Sequence, residues 1–450
     1  MKKILLLSFF TVKRAVLCFM VLAPSSLLLA QSPAWSQLSS GCGGNVYTMT
    51  FYNGNLIAAG SFTTAGSAPA NHIAMWDGAN WSTLGTGTSG SVRSMIVYHN
   101  QLYVAGSFTS AGNVSASKIA RWNGTSWDSV GHGITGSNVY ALEIYHDKLY
   151  AAGRFSMAGS VNANNIAVWN DTAWSAVGAG IQAATYQPVV YTLTVFRDSL
   201  FAGGVFNIAG TDSASYSVAK YYGQNWYHVG SGFDYQVNTL QSLGSVLYAG
   251  GDFSQSGFNS TQYFAKWSGG EWTGVNNGAD YIVNGMTRYG NNIYVVGGFW
   301  VIGGVWTYSI ARFDGTNFYA LAGGVDNDAY SVCADEGIVY IGGLFANAGS
   351  VPVSHIAKWS DVGVGMQEQN DQNSFAVYPN PSNGIFNFHS DKISDGETIE
   401  IYNSLGEKIN SFAVKNEDMQ IDLSNEADGI YFYHIISEGE IISQGKVVME

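Results

Sequence analysis

Residues 92–99 alternate apolar and polar side chains, the period of a strand with one buried face. Asn100-Gln101 turns the chain, and residues 102–105 form a second run of types that suit a pleated surface. Gly106 lets a backbone or a large ring approach, Phe108 follows, and Ala111-Gly112 breaks the run. Residues 119–122 predict a third strand. Asn123-Gly124 is a hairpin signal because both positions tolerate positive φ. Residues 127–130 predict a fourth strand, ended by Gly131 and Gly133. No helical period intervenes.

This phrase recurs along the chain. Its anchor residues are Phe62, Phe108, Phe155, Phe206, Phe253, Phe299 and Phe345, spaced 46, 47, 51, 47, 46 and 46 apart. A repeat of that length predicts stacked copies of one supersecondary unit. Strands three and four carry aromatic pairs five residues apart: Trp76/Trp81, Trp122/Trp127, Trp169/Trp174, Tyr221/Trp226, Trp267/Trp272 and Phe313/Phe318. That spacing sets the two rings opposite each other across a hairpin. Strict recurrence predicts a core between neighbouring sheets, with a sugar-stacking platform as the alternative.

The seventh copy stops after Trp359, before a fourth strand. Trp35-Ser-Gln-Leu38, near the other end, matches Trp81-Ser-Thr-Leu84 and Trp127-Asp-Ser-Val130. The N-terminal segment is therefore expected to complete the last sheet, which closes a circular array and removes exposed edges. The expected fold of residues 31–362 is all-β, a seven-bladed β-propeller closed by its N-terminal strand. The segments Leu102-Tyr-Val-Ala-Gly-Ser-Phe-Thr-Ser-Ala-Gly112 and Lys118-Ile-Ala-Arg-Trp-Asn-Gly-Thr-Ser-Trp127 resemble the kelch-type propeller superfamily. They resemble in particular the repeats of the fungal cortical polarity-marker propellers. That superfamily holds binding proteins and copper oxidases alike, and the Cys, Tyr and His ligand set of the oxidases is not found here.

The chain ends differ from the repeats. Residues 1–30 begin Lys2-Lys3, continue apolar and finish on Ala30, which predicts a secretory signal peptide. Residues 363–373 are polar without alternation and read as a linker. Residues 374–450 carry 13 acidic and 4 basic side chains, and their strand pattern predicts a small β-sandwich. Val377-Tyr-Pro379-Asn380-Pro381-Ser-Asn-Gly384 comes first, then Ile399-Glu-Ile-Tyr-Asn-Ser-Leu-Gly406, Gly429-Ile-Tyr-Phe-Tyr433 and Lys446-Val-Val448. This order resembles the type A sorting domain of the type IX secretion system. The resemblance implies contact with the secretion machinery, passage across the outer membrane of a Gram-negative bacterium, and release or surface anchoring.

Formal net charge is −13, against the basic surface that nucleic acid requires. No membrane span is expected, and the mature protein is expected to be a monomer. Of three cysteines, Cys18 lies in the signal segment, and whether Cys42 and Cys333 pair is open. His72 and His355 hold equivalent positions, as do His99 and His146, but few acids accompany them, so neither metal nor cofactor is expected. Asp128, Asp171, Asp198 and Asp212 each begin a short motif similar to a bacterial O-glycosylation signal.

Departures from the repeat point to function. Copy six replaces a polar connection with Trp300-Val-Ile-Gly-Gly-Val-Trp306-Thr-Tyr308, and residues 182–188, which include Tyr186, add length before copy four. Trp300, Trp306, Tyr308 and Tyr186 are the candidate ligand contacts. The competing reading has Trp300 and Trp306 filling a gap beside the smaller Phe313/Phe318 pair. No catalytic set is legible, so the expected function is a non-catalytic binding propeller. The alternatives are a polysaccharide hydrolase or lyase and a structural adhesion module. Asp252, Asp280, Asp326 and Asp328 are the acids a glycanase would use, although no acid recurs at a constant position.

Overall fold

The computed structural model describes residues 34–360, 375–390, 397–403, 407–414, 416, 418–437 and 440–449. The expected signal peptide over residues 1–30, the linker over 363–373 and Gly406 lie outside the described residues. The chain divides into two units, Met1–Val362 and Gly363–Glu450.

In the first unit, sheet one takes Val46–Tyr52, Asn55–Gly60, Ile73–Trp76 and Trp81–Thr83 in that hydrogen-bonded order. Sheets two to six repeat the order from Val92, Ile134, Val189, Val237 and Val283. Sheet seven takes Ala329–Asp335, Ile338–Gly343 and Ile356–Ser360, and its fourth strand is Ala34–Gln37. Trp35 lies directly opposite Trp359 in that pairing.

The aromatic pairs face each other as their spacing predicts. Trp76 opposes Trp81 and Trp122 opposes Trp127, with ring centroids 5.2 Å apart in both. Such pairs contribute about 0.5–1.5 kcal/mol each beyond their burial. The fourth-strand indole also reaches the preceding sheet. Trp81, Trp127 and Trp174 donate N–H to the carbonyls of Leu38, Leu84 and Val130 at 2.9, 2.8 and 3.3 Å. Burial and this latch together join sheet to sheet.

Sheet six has Phe318 where the others have tryptophan. The space is filled by Phe264, whose ring lies 5.7 Å from Phe313 and 5.4 Å from Phe318. Trp300 and Trp306 are 61% and 60% exposed, which rules out the gap-filling reading.

The connection between strands two and three is more ordered than the sequence suggests. In sheet two it forms a hairpin, Ser110–Ala111 with Val114–Ser115. Its inward residue is buried in each sheet, as with Ala65, Ala111 and Ile302. Thr88, in the preceding connection, bridges to Ala111, and Cys42 bridges to Ala65 in the same way.

The second unit is a sandwich. One sheet orders Phe375–Tyr378, Ile385–Ser390 and Asp418–Asp422; the other orders Lys408–Ala413, Thr398–Tyr402, Gly429–Ser437 and Glu440–Met449. Phe386, Phe388, Ile399, Ile401, Tyr433 and Val447 form the core between them. The strand Lys408–Ala413 escapes the sequence pattern because it is an edge strand with mostly exposed side chains.

Candidate ligand-binding site

Each first strand of the seven sheets carries a β-bulge at an equivalent position. The register slips between Val46 and Thr48, Val92 and Ser94, Val139 and Ala141, and Val190 and Thr192. It slips again between Val237 and Thr239, Val283 and Gly285, and Ala329 and Ser331. A bulge re-aims the extra residue away from the ladder. The residues so displaced are Tyr47, Arg93, Tyr140, Tyr191, Asn238, Asn284 and Tyr330. With Gln236 and Ile282 they line one cavity of about 400 Å³. Its size is that of a small-ligand site.

The ring is chemically uneven. The Arg93 guanidinium sits 3.8 Å from the centre of the Tyr47 ring, a cation–π contact. Tyr47 packs against Tyr330 at 5.6 Å, and Tyr140 against Tyr191 at 5.0 Å. Asn238 and Asn284 face the opposite side and donate to the carbonyls of Val283 and Ala329 at 3.0 Å each. The Tyr47 hydroxyl accepts from Ser61 Oγ and Asn45 Nδ2, both at 3.3 Å. Burial raises the Tyr47 phenol, but those hydrogen bonds and the Arg93 charge outweigh it, and the net shift is downward. Sequence reading missed this ring. The column after each leading Val or Ala holds tyrosine in four of seven copies, a signal that aligning the copies would expose.

The predicted contacts lie at the sheet edge where first strands begin and second strands end. Trp300 leads into the hairpin Val301–Ile302 with Val305–Trp306, and the Trp306 and Tyr308 rings are 5.9 Å apart. Tyr186 is in the connection before sheet four. The same edge exposes Tyr216, Tyr235, Phe258 and Tyr281, so the exposed aromatics there cluster on sheets four to six.

Acids at this edge recur after all, against expectation: Asp234, Asp280 and Asp326 occupy one position in successive copies. Each caps a hairpin. Asp280 Oδ1 accepts from the Trp300 and Val301 backbone N–H at 2.9 and 3.1 Å. Asp326 accepts likewise from Ala346 and Asn347, and Asp234 from Ser254 and Gln255. Asp252 is not a cap; burial, then Asp234, raises its carboxyl.

The histidines have scaffold positions. His72 and His355 adopt positive φ at a site that Lys118, Asn165, Ser217, Tyr263 and Ser309 fill elsewhere. His99 contacts Asp147 and Asp171 at 2.9 and 3.0 Å, and His146 contacts Asp198 at 2.7 Å. Asp212 holds His228 at 2.8 Å. Among the described residues no group of three or more His, Cys, Asp or Glu is arranged for a metal ion. Cys42 and Cys333 are free thiols, both buried.

In the second unit Pro379 and Pro381 follow cis peptide bonds. Between them Asn380 donates to the Lys446 carbonyl at 2.9 Å and accepts from the Val448 N–H at 2.8 Å, fastening this segment to the last strand. At Gly384, φ is +104° and a Cβ would stand 2.6 Å from Ser424 Cα, so only glycine fits. Gly429 opens its strand opposite Met449.

Residues 78–246 match the Rax2 C-terminal beta propeller domain, and residues 376–450 match the Secretion system C-terminal sorting domain. No curated protein is similar enough to match. Among solved structures, the chain is similar to PorZ, an essential bacterial surface component of the type-IX secretion system of Porphyromonas gingivalis. That match has 13% identity and a TM-score of 0.43 over 90% of this chain and 59% of that one. It is similar also to the extracellular domain of BT4673 from B. thetaiotaomicron, with 12% identity and a TM-score of 0.49 over 90% and 52%. A fungal alcohol oxidase of the AA5 family has 13% identity and a TM-score of 0.42 over 93% and 100%. The chain spans little more than half the length of the first two. Among the described residues no helix is long and apolar enough to cross a membrane. The first unit is thus a β-propeller-type array, and the C-terminal sorting domain directs the chain to the surface or exterior of a Gram-negative bacterium through the type IX machinery.

Proposed function

We propose that residues 31–362 form a kelch-like, seven-bladed propeller closed by its N-terminal strand, preceded by a signal peptide over residues 1–30. The exported protein binds a protein or glycan and carries out no chemistry of its own. Closure is supported by the junction of sheets seven and one, which repeats the others: Cys42 N–H donates to Ser354 O at 2.9 Å, as Thr88 does to Asn71 O at 3.0 Å.

The observation that carries the binding reading is the cluster of exposed aromatics on one edge of sheets four to six, centred on Trp300 and Trp306. Exposed aromatic clusters of this kind mark interaction surfaces, and tryptophan and tyrosine dominate binding energy at such surfaces. The Asp234, Asp280 and Asp326 carboxylates are engaged in hairpin caps, which supports a non-catalytic role.

The test is a glycan and surface-protein array probed with the full chain and with Trp300→Ala/Trp306→Ala. Binding lost by tenfold or more in the double variant supports the rim site, about the loss of one hot-spot residue. Undiminished binding places the ligand elsewhere and overturns it.

A further inference from the structure

Arg93 is the one cation among the residues lining the channel cavity. Its Nε is buried without a hydrogen-bond partner. Among the described residues it makes no ion pair. No carboxylate lines the cavity. The guanidinium also hydrogen-bonds Tyr47, but its charge is unpaired, and a partly buried unpaired charge is costly unless a ligand supplies the counter-charge.

The surroundings narrow the ligand. Tyr47 and Tyr330 form one aromatic wall beside Arg93, and Tyr140 and Tyr191 form another. Among the described residues the Tyr191 and Tyr330 hydroxyls have no assigned hydrogen-bond partner, and Gln236, Asn238 and Asn284 place amides across from them. Aromatic faces suit the C–H faces of a sugar ring, amides and phenols suit its hydroxyls, and the guanidinium suits a carboxylate in a two-pronged contact. A purely apolar ligand would leave the Tyr191 and Tyr330 hydroxyls unmatched, and a neutral sugar would leave the Arg93 charge unpaired. We propose that the channel ring is a binding site for an acidic sugar, a hexuronate whose carboxylate pairs with Arg93 and whose ring packs on the tyrosines. The site is distinct from the rim aromatics and does not depend on them.

The test is titration calorimetry on the full chain with glucuronate, glucose, acetate and inorganic phosphate. Glucuronate is expected to bind at least about tenfold more tightly than glucose, the discrimination one charge-assisted hydrogen-bonded pair provides. Acetate and phosphate are expected not to compete. Arg93→Met is expected to reduce glucuronate to the level of glucose with an unchanged melting curve, and Trp300→Ala/Trp306→Ala to leave glucuronate binding intact. Should Arg93→Met not fold, Tyr140→Leu must weaken both sugars while acetate stays silent. Equal binding of glucose and glucuronate, an Arg93→Met variant that binds as before, or competition by acetate or phosphate would each overturn the proposal. Loss of array binding at the rim with glucuronate binding retained separates failure of the two readings.

Discussion

The indole N–H of Trp35 donates to the carbonyl oxygen of Leu321 at 3.1 Å, joining residues 286 positions apart. The same latch joins Trp272 to Val229 across 43 positions. The first strand of the chain is therefore held as the other fourth strands are, by a strand pairing on one side and an indole latch on the other. Trp35→Phe keeps the ring and removes the donor, and is expected to cost about 1 kcal/mol. Deleting residues 34–38 exposes the edge of Ile356–Ser360 and is expected to lower the melting temperature far more and promote aggregation. Thermal melts decide it; a deletion that melts like the parent would mean the strand is dispensable.

Phe264 and Phe318 are a matched exchange. Copies one, two and three have Ile73, Ile119 and Ile166 where copy five has Phe264, and tryptophan where copy six has Phe318. Phe264→Ala is expected to cost about 3–5 kcal/mol, as for other buried phenylalanines. Phe264→Ile/Phe318→Trp is expected to recover much of the loss, because it restores the arrangement of the other copies. Denaturant melts of Phe264→Ile, Phe318→Trp and the double variant give the coupling.

Glu143 titrates against stability. It lies on the innermost strand of sheet three, and burial raises its carboxyl to about 7 despite a hydrogen bond from the Ile144 N–H. Below the ordinary carboxylate value both states are protonated. As pH rises from there to about 7, the unfolded chain releases its proton first, so stability falls. Above about 7 the full penalty, on the order of 3 kcal/mol, is present. Glu143→Gln is expected to match the parent at pH 4 and to melt higher at pH 8. A difference that does not grow with pH would count against it.

Asp280 positions the rim. Asp280→Ala frees the Trp300 and Val301 N–H groups and is expected to loosen that hairpin at a local cost of about 1–3 kcal/mol. Amide exchange of Val301 should accelerate about tenfold or more while the sheet core stays protected. Unchanged exchange would show that the cap does not hold the hairpin.

Asn380 fastens the sorting unit to its last strand. Asn380→Ala removes both bonds, to Lys446 and from Val448, and is expected to destabilise this unit by about 1–3 kcal/mol. In cells the expected result is a lower exported fraction with the chain retained in the periplasm. Export at parental levels would sever Asn380 from sorting.

The strands, their turns and the repeat were legible because each depends on local chemistry. Alternation sets Val92–Tyr98, Asn-Gly sets the Trp122/Trp127 hairpin, and a short match to other copies placed Trp35 on the last sheet. The sorting unit was legible for the same reason, except Lys408–Ala413, whose edge position leaves little apolar period to read. The channel ring was not. Tyr47 and Tyr330 are nearly 300 residues apart, and in one dimension each is simply the residue next to a buried Val or Ala. Only the bulge turns that side chain inward, and only the tertiary packing of the sheets brings seven of them to one cavity. Residue order therefore determined what each copy is, and the tertiary arrangement decided which of its side chains meet, because convergence depends on curvature accumulated over the whole array and not on any local pattern.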